Sequence, residues 1–183
     1  MNTRETPDLE RWHRELLEIL QADAACPEEG PARKSAKGVD RLEVLAFEVA
    51  GETYALSIQV VTEIVLPRPI TSLPRAPGFV LGVASLRGVV VPVVDLAQRL
   101  RLPPAEPCRG SRILVLRDGE DRMGFWVDRV QGVMRFSSQE LEAADFATTV
   151  DPRYLQGIGY QREGELVALL DGARLCDFEL GEP

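Results

Sequence analysis

The chain has 183 residues, a net charge of −8 and a 45% hydrophobic composition, the profile of one globular domain with an appendage. An acidic chain with no basic tract is a poor partner for nucleic acid or anionic lipid. The N-terminus is charged and lacks an apolar core segment, and the longest apolar run is broken by Arg87, so neither a signal peptide nor direct membrane insertion is expected. Three cysteines, Cys26, Cys108 and Cys176, are odd in number and far apart, which suits a reducing compartment better than a disulfide framework; a cytoplasmic location is the simplest expectation.

Residues 1–25 are predicted to form an amphipathic helix. Thr6-Pro7 suits an N-cap followed by proline in the first turn, and Asp8 and Glu10 face the positive end of the helix dipole. Leu9, Trp12, Leu16, Ile19 and Leu20 fall on one stripe. So short a helix needs a cover for that stripe. The helix either folds back onto the main domain or docks into a groove on another protein. Residues 26–40, rich in Pro, Gly and charge, read as a flexible linker, and 41–180 as the main domain.

From Leu42 onward the pattern changes to short strands. LEVLAFEV alternates, with Glu43, Leu45, Phe47 and Val49 as the cleaner core face. Ala50-Gly51-Glu52 turns the chain back into TYALSI. The spacing of Ile58, Val61 and Ile64–Val65 predicts a helical turn or two before the next strand, and Pro67, Pro69, Pro74 and Pro77 keep the following loop extended.

Residues 79–96, FVLGVASLRGVVVPVVDL, form the chain's strongest signal. Two valine-rich runs flank Leu86-Arg87-Gly88, and the glycine makes a tight turn or bulge cheap. An arginine at the corner of a rigid apolar hairpin is either paired with a carboxylate or offered to a partner. Pro92 cannot donate a ladder bond, so its strand is placed at an edge or a bulge. Asp95 is expected to cap a short helix that Pro103 and Pro104 stop.

A second set of strands begins at Arg112: RILVL, MGFWVDRV, QGVMRF, LQGIGYQ and ELVALL, the last two forming a hairpin around Gly164. Phe136–Glu140 resembles a capping segment, and Asp171 caps a final short helix. About ten closely spaced strands with little helix indicate an all-β fold of barrels or a sandwich.

Enzyme signals are thin. The one histidine, His13, lies on the N-terminal helix, and no spacing fits zinc, a phosphate loop or a nucleophile elbow. The carboxylates at 118–121 and 142–145 read as solvated loop charge, and Trp126 as core. No catalytic residue, metal ligand or cofactor site is assigned.

Five ordered stretches carry a resemblance: FEVAGETYAL (47–56), VVTEI (60–64), VLGVASLRGVVVPVVDL (80–96), GFWVDRV (124–130) and YLQGIG (154–159). Together they are similar to the CheW-like family of chemotaxis coupling proteins. Ser85 stands where the family usually has asparagine. The resemblance implies two packed five-stranded barrels and a non-catalytic adaptor, joining the cytoplasmic tip of a chemoreceptor to the regulatory domain of a CheA-type histidine kinase in membrane-associated arrays. It also implies that Val61, Gly82, Arg87 and Val133 lie at or beside the receptor surface, and that Glu63 pairs with Arg87. Such an adaptor is expected to be a monomer when alone. The N-terminal helix leaves a related role open, a CheW-like scaffold of a non-flagellar array (surface motility, pili or second-messenger control) that recruits one further protein. A small-molecule-binding barrel or a hydrolase using the loop acids is the reading from another class.

Overall fold

The computed structural model describes residues 41–104, 107–119, 121–137, 139–142, 150–161 and 164–178. The predicted helix 1–25, the linker 26–40, His13 and the loop acids Glu120 and Asp145 lie outside the described residues.

Among the described residues ten strands run in chain order: β1 (Arg41–Val49), β2 (Glu52–Ser57), β3 (Val61–Val65), β4 (Val80–Leu86), β5 (Val89–Asp95), β6 (Arg112–Asp118), β7 (Asp121–Val127), β8 (Arg129–Ser137), β9 (Leu155–Tyr160) and β10 (Leu166–Leu170). Among the described residues helix is confined to α1 (Leu96–Arg99), α2 (Gly172–Cys176) and one 3-10 turn at Pro152–Tyr154. The strands form two five-stranded sheets, ordered β8-β1-β2-β10-β9 and β3-β6-β7-β5-β4. The second sheet is therefore an insertion: the chain leaves the first sheet after β2, builds β3 to β7, and returns at β8. Each sheet contains one parallel pair, β2 with β10 and β5 with β7, because each closes on a strand distant in sequence.

The expected all-β class holds, with two five-stranded sheets. Among the described residues no ladder joins β8 to β9 or β3 to β4. Three local expectations need correction. Residues 58–60 form a turn and Val61–Val65 is already strand, because the ladder to β6 outweighs the helical spacing of a short apolar run. β1 is buried on both faces at its centre: Val44 packs with Ala55, Phe136, Val167 and Leu169, while Leu45 and Phe47 are sealed on the other side. Pro92 lies in an interior strand, not at an edge. It pairs with Val83 of β4, and the parallel ladder to β7 begins only at Val93, so its missing N–H falls where no partner strand needs it.

Turn chemistry explains the hairpins. Val49 faces Glu52 across Ala50-Gly51, and Leu86 faces Val89 across Arg87-Gly88. Both two-residue loops take positive φ at both positions, 52° and 81° in the first, 49° and 83° in the second. That is the turn whose twist matches the strands, and glycine at its second position removes half the steric cost. The capping expectations are met. Asp95 accepts from Gln98 N at 3.1 Å, Asp171 accepts from Ala173 N at 3.0 Å, and Glu140 accepts from Ser137 N at 2.7 Å.

Candidate functional site

The site begins at the β4–β5 turn. Arg87 sits in a left-handed conformation, φ 49°, and its side chain is 75% exposed. Its Nε lies 3.3 Å from Glu63 Oε2, and Glu63 is only 18% exposed. Glu63 lies opposite Val115, a core residue of the second sheet, so it shares that inward face near one end of the sheet. A second cation reaches it: Arg122 Nη1 of β7 lies 3.5 Å from Glu63 Oε1. Oε2 is shut away from water and takes no well-aligned hydrogen bond, so the Arg87 contact is Coulombic attraction across a poor hydrogen-bond angle. One carboxylate thus answers two exposed guanidinium groups.

The other residues singled out from the sequence are placed differently. Val61 opens β3 opposite Leu116 and is 4% exposed. Gly82 is buried at φ 139°, at a register shift in β4, with the Thr71 carbonyl directly over its Cα. Thr71 and Val83 exchange two backbone hydrogen bonds of 2.8 Å, so the glycine lets the 66–72 segment lie flat on the edge of β4. Val133 is half-buried in β8, opposite Leu45, on the other sheet. The structure therefore brings Glu63 and Arg87 together, seats Val61 and Gly82 beneath the surface of the same sheet, and leaves Val133 apart from them.

A cleft of about 420 Å³ lies where the two sheets meet. Val49 of β1 and Asp128 of the β7–β8 crossover form one side; Ile70, Ser72, Leu81, Asp95, Ala97 and Trp126 form the rest, with Pro107 at the rim. Its apolar walls are partly buried side chains already packed on the second core, Ile70, Leu81 and Trp126. Trp126 is thus half core and half wall. Asp128 holds the crossover: its carboxylate accepts from Ala50 N at 2.7 Å, and its own N–H donates to the Glu48 carbonyl at 3.0 Å. Burial raises the Asp128 pKa above its usual range, with Glu48 and Asp95 adding to the rise and the Ala50 N–H opposing it. Cys108, at the surface nearby, receives the Ser111 hydroxyl at 3.6 Å, which lowers the pKa of its thiol.

Sequence reasoning missed Arg122, Asp128 and the part of Trp126 that faces the cleft. Arg122 could have been found from its period, since it alternates with Gly124 and Trp126 on one face of β7. Among the described residues no group of three His, Cys, Asp or Glu could hold a metal ion, and no helix is long and apolar enough to cross a membrane. The site's features, a stiff turn, a shared carboxylate and an apolar cleft, suit recognition of another surface.

Residues 43–179 match the CheW-like domain. The chain belongs to the CheW-like family. It is 32% identical over 130 residues to the chemotaxis protein CheW of Rhizobium meliloti (strain 1021), covering 70% of this chain and 83% of that one. The CheW of Klebsiella aerogenes is 32% identical over 138 residues, covering 75% and 82%. The solved scaffolding protein TtCheW from Thermoanaerobacter tengcongensis superimposes with a TM-score of 0.70 at 27% identity, covering 76% of this chain and 94% of that one. CheW-like membership makes the chain a chemotaxis coupling adaptor.

Proposed function

We propose that this adaptor acts without catalysis, in the cytoplasm at membrane-associated arrays, and that it couples the cytoplasmic tip of a chemoreceptor to the regulatory domain of a CheA-type histidine kinase. The observation that carries the receptor side is Arg87, three-quarters exposed on a turn of fixed backbone and anchored by Glu63. A side chain held in place before docking loses little entropy on docking. The cleft at the other end of the β4–β5 hairpin supplies the aliphatic and aromatic walls that a helix tip would fill, and such buried anchors dominate affinity. The second sheet curls toward a barrel in this reading, since Arg87 after β4 reaches Glu63 on the far edge strand β3. The regulatory domain of the kinase would take strand ends of the other half, leaving the receptor surface free. In a lattice each contact raises the effective concentration of the next, so single affinities can stay modest.

Arg87→Ala and Ile70→Asp test the proposal by co-sedimentation with receptor-bearing membranes and the kinase. Both should lose at least about tenfold in receptor affinity, equivalent to 1.4 kcal/mol, while keeping cooperative unfolding. Wild-type coupling in both variants would overturn it. Val61 is too buried for a charged substitution to give a clean answer.

A second reading rests on residues 1–40, which precede the matched domain and carry the stripe Leu9, Trp12, Leu16, Ile19 and Leu20. In it the chain serves a non-flagellar array and recruits one further protein. Deleting 1–40 should then leave the midpoint of denaturation within about 1 kcal/mol of the parent and remove one partner from a pull-down. An unfolded truncation would make the segment structural instead.

A further inference from the structure

Arg99 sits in a box that the coupling site does not use. Its guanidinium carbon lies 4.7 Å from the ring centroid of Phe79, 5.1 Å from that of Tyr154 and 4.8 Å from that of Phe178. Phe79 and Phe178 meet edge to face at 5.0 Å. Nη2 donates to the Asp177 carbonyl at 2.9 Å, and Nε is buried without a hydrogen-bond partner. Burial is the main cause that lowers the pKa of this group from its usual value, although an arginine stays charged at neutral pH. The three rings come from three connections: Phe79 precedes β4, Tyr154 leads into β9, and Phe178 follows α2. α2 itself leaves β10 of the first sheet and lies against β6 of the second. Its first residue is close-packed there, since a Cβ on Gly172 would stand 3.0 Å from Val60 Cγ2.

Arg99 also ends the single helical turn whose start forms part of the cleft. Asp95 and Ala97 line the cleft, and Arg99 follows Ala97 by two residues in α1. The turn is stiff: Asp95 caps it through both Gln98 N and Gln98 Nε2. A displacement at one end is therefore felt at the other.

We infer that Gly172–Phe178 is a latch seated in the core by Leu175 and fastened at its end by Arg99, and that α1 couples this latch to the shape of the cleft. A guanidinium suits a fastener that must release. Ring faces and one carbonyl hold it when closed, and water hydrates it when open. By linkage, an occupant that shifts the α1 wall changes the stability of the latch, and the latch changes the affinity for the occupant by the same factor. The inference does not depend on which partner fills the cleft.

The test uses the full chain in a Trp12→Phe background, which leaves Trp126 of the cleft as the one tryptophan of the two in the sequence. Hydrogen exchange in Arg99→Ala should accelerate at least about tenfold over residues 171–178, with β1–β2 and β6–β7 ladder amides within about twofold of the parent. Trp126 emission should shift to the red and quench more readily with acrylamide. Arg99→Lys, which keeps the charge and loses the planar fork, should fall between the two. Unchanged exchange at 171–178, or equal acceleration in every ladder, would overturn the latch. Faster exchange at 171–178 with unaltered Trp126 emission would overturn its coupling to the cleft. Should Arg99→Ala fail to fold, Phe178→Ala carries the same two readouts and leaves α1 intact.

Discussion

In the first sheet the edge strands β8 and β9 approach through a ring on a glycine: a Cβ at Gly159 would stand 2.8 Å from Phe136 Cε1. In the second sheet the edge strand β3 reaches the turn after the opposite edge strand β4 through Glu63 and Arg87. The same geometric task, drawing the edges of a five-stranded sheet together, is met once by apolar close packing and once by a partly exposed ion pair. The difference separates stability from recognition. Phe136 is 6% exposed and belongs to a core cluster, so its contact is worth kilocalories whether or not a partner is present. Arg87 is mostly in water, where such a pair contributes little to folding, and it stays accessible to another protein.

The largest effects should come from the apolar closure. Phe136→Ala is expected to cost about 3–4 kcal/mol in urea unfolding, through lost burial and the cavity left beside Gly159. Gly159→Ala should cost about 1–3 kcal/mol, because the new methyl group meets a ring edge with little room to yield. A loss below about 0.5 kcal/mol for both would remove the contrast between the sheets.

The ionic closure should give smaller numbers. Arg87→Ala and Glu63→Gln are each expected to change stability by less than about 1 kcal/mol, and added salt should narrow the gap to wild type for these two but not for Phe136→Ala. A cost near that of Phe136→Ala would show that the ion pair is a folding element. Double substitution of Arg87 and Arg122 sharpens the point, since both cations answer the same carboxylate.

The smallest expected effect lies at the crossover that joins the sheets. The pKa of Asp128 is raised in the folded state, so the native protein holds a proton that the unfolded chain releases above its ordinary value of 3.8. Its contribution to stability is fully present below that value and is lost as pH rises through the raised one. Asp128→Asn keeps an acceptor for Ala50 N and cannot titrate. Relative to wild type it should therefore gain stability as pH climbs from 3.8 through that window, measured by denaturation at several pH values. A flat or falling difference would mean that the hydrogen bond from Ala50 outweighs burial.

Much of this protein is written in local pattern. Alternation and β-branching mark the strands, Ala50-Gly51 and Arg87-Gly88 mark the hairpins, and Asp95 and Asp171 mark the caps, because each depends on residues within a few positions of one another. The ordered motifs from Phe47 to Gly159 also suffice to indicate the CheW-like family. Tertiary structure alone decided the remainder. That β10 pairs with β2, that the second sheet is inserted into the first, that β1 is covered on both faces and that Pro92 escapes the parallel ladder all follow from pairings between residues far apart in the chain. So do the second arginine on Glu63 and the ring box around Arg99. A sequence fixes backbone preference over short distances, but which side chains share a buried volume is settled only when the whole chain competes for the same core.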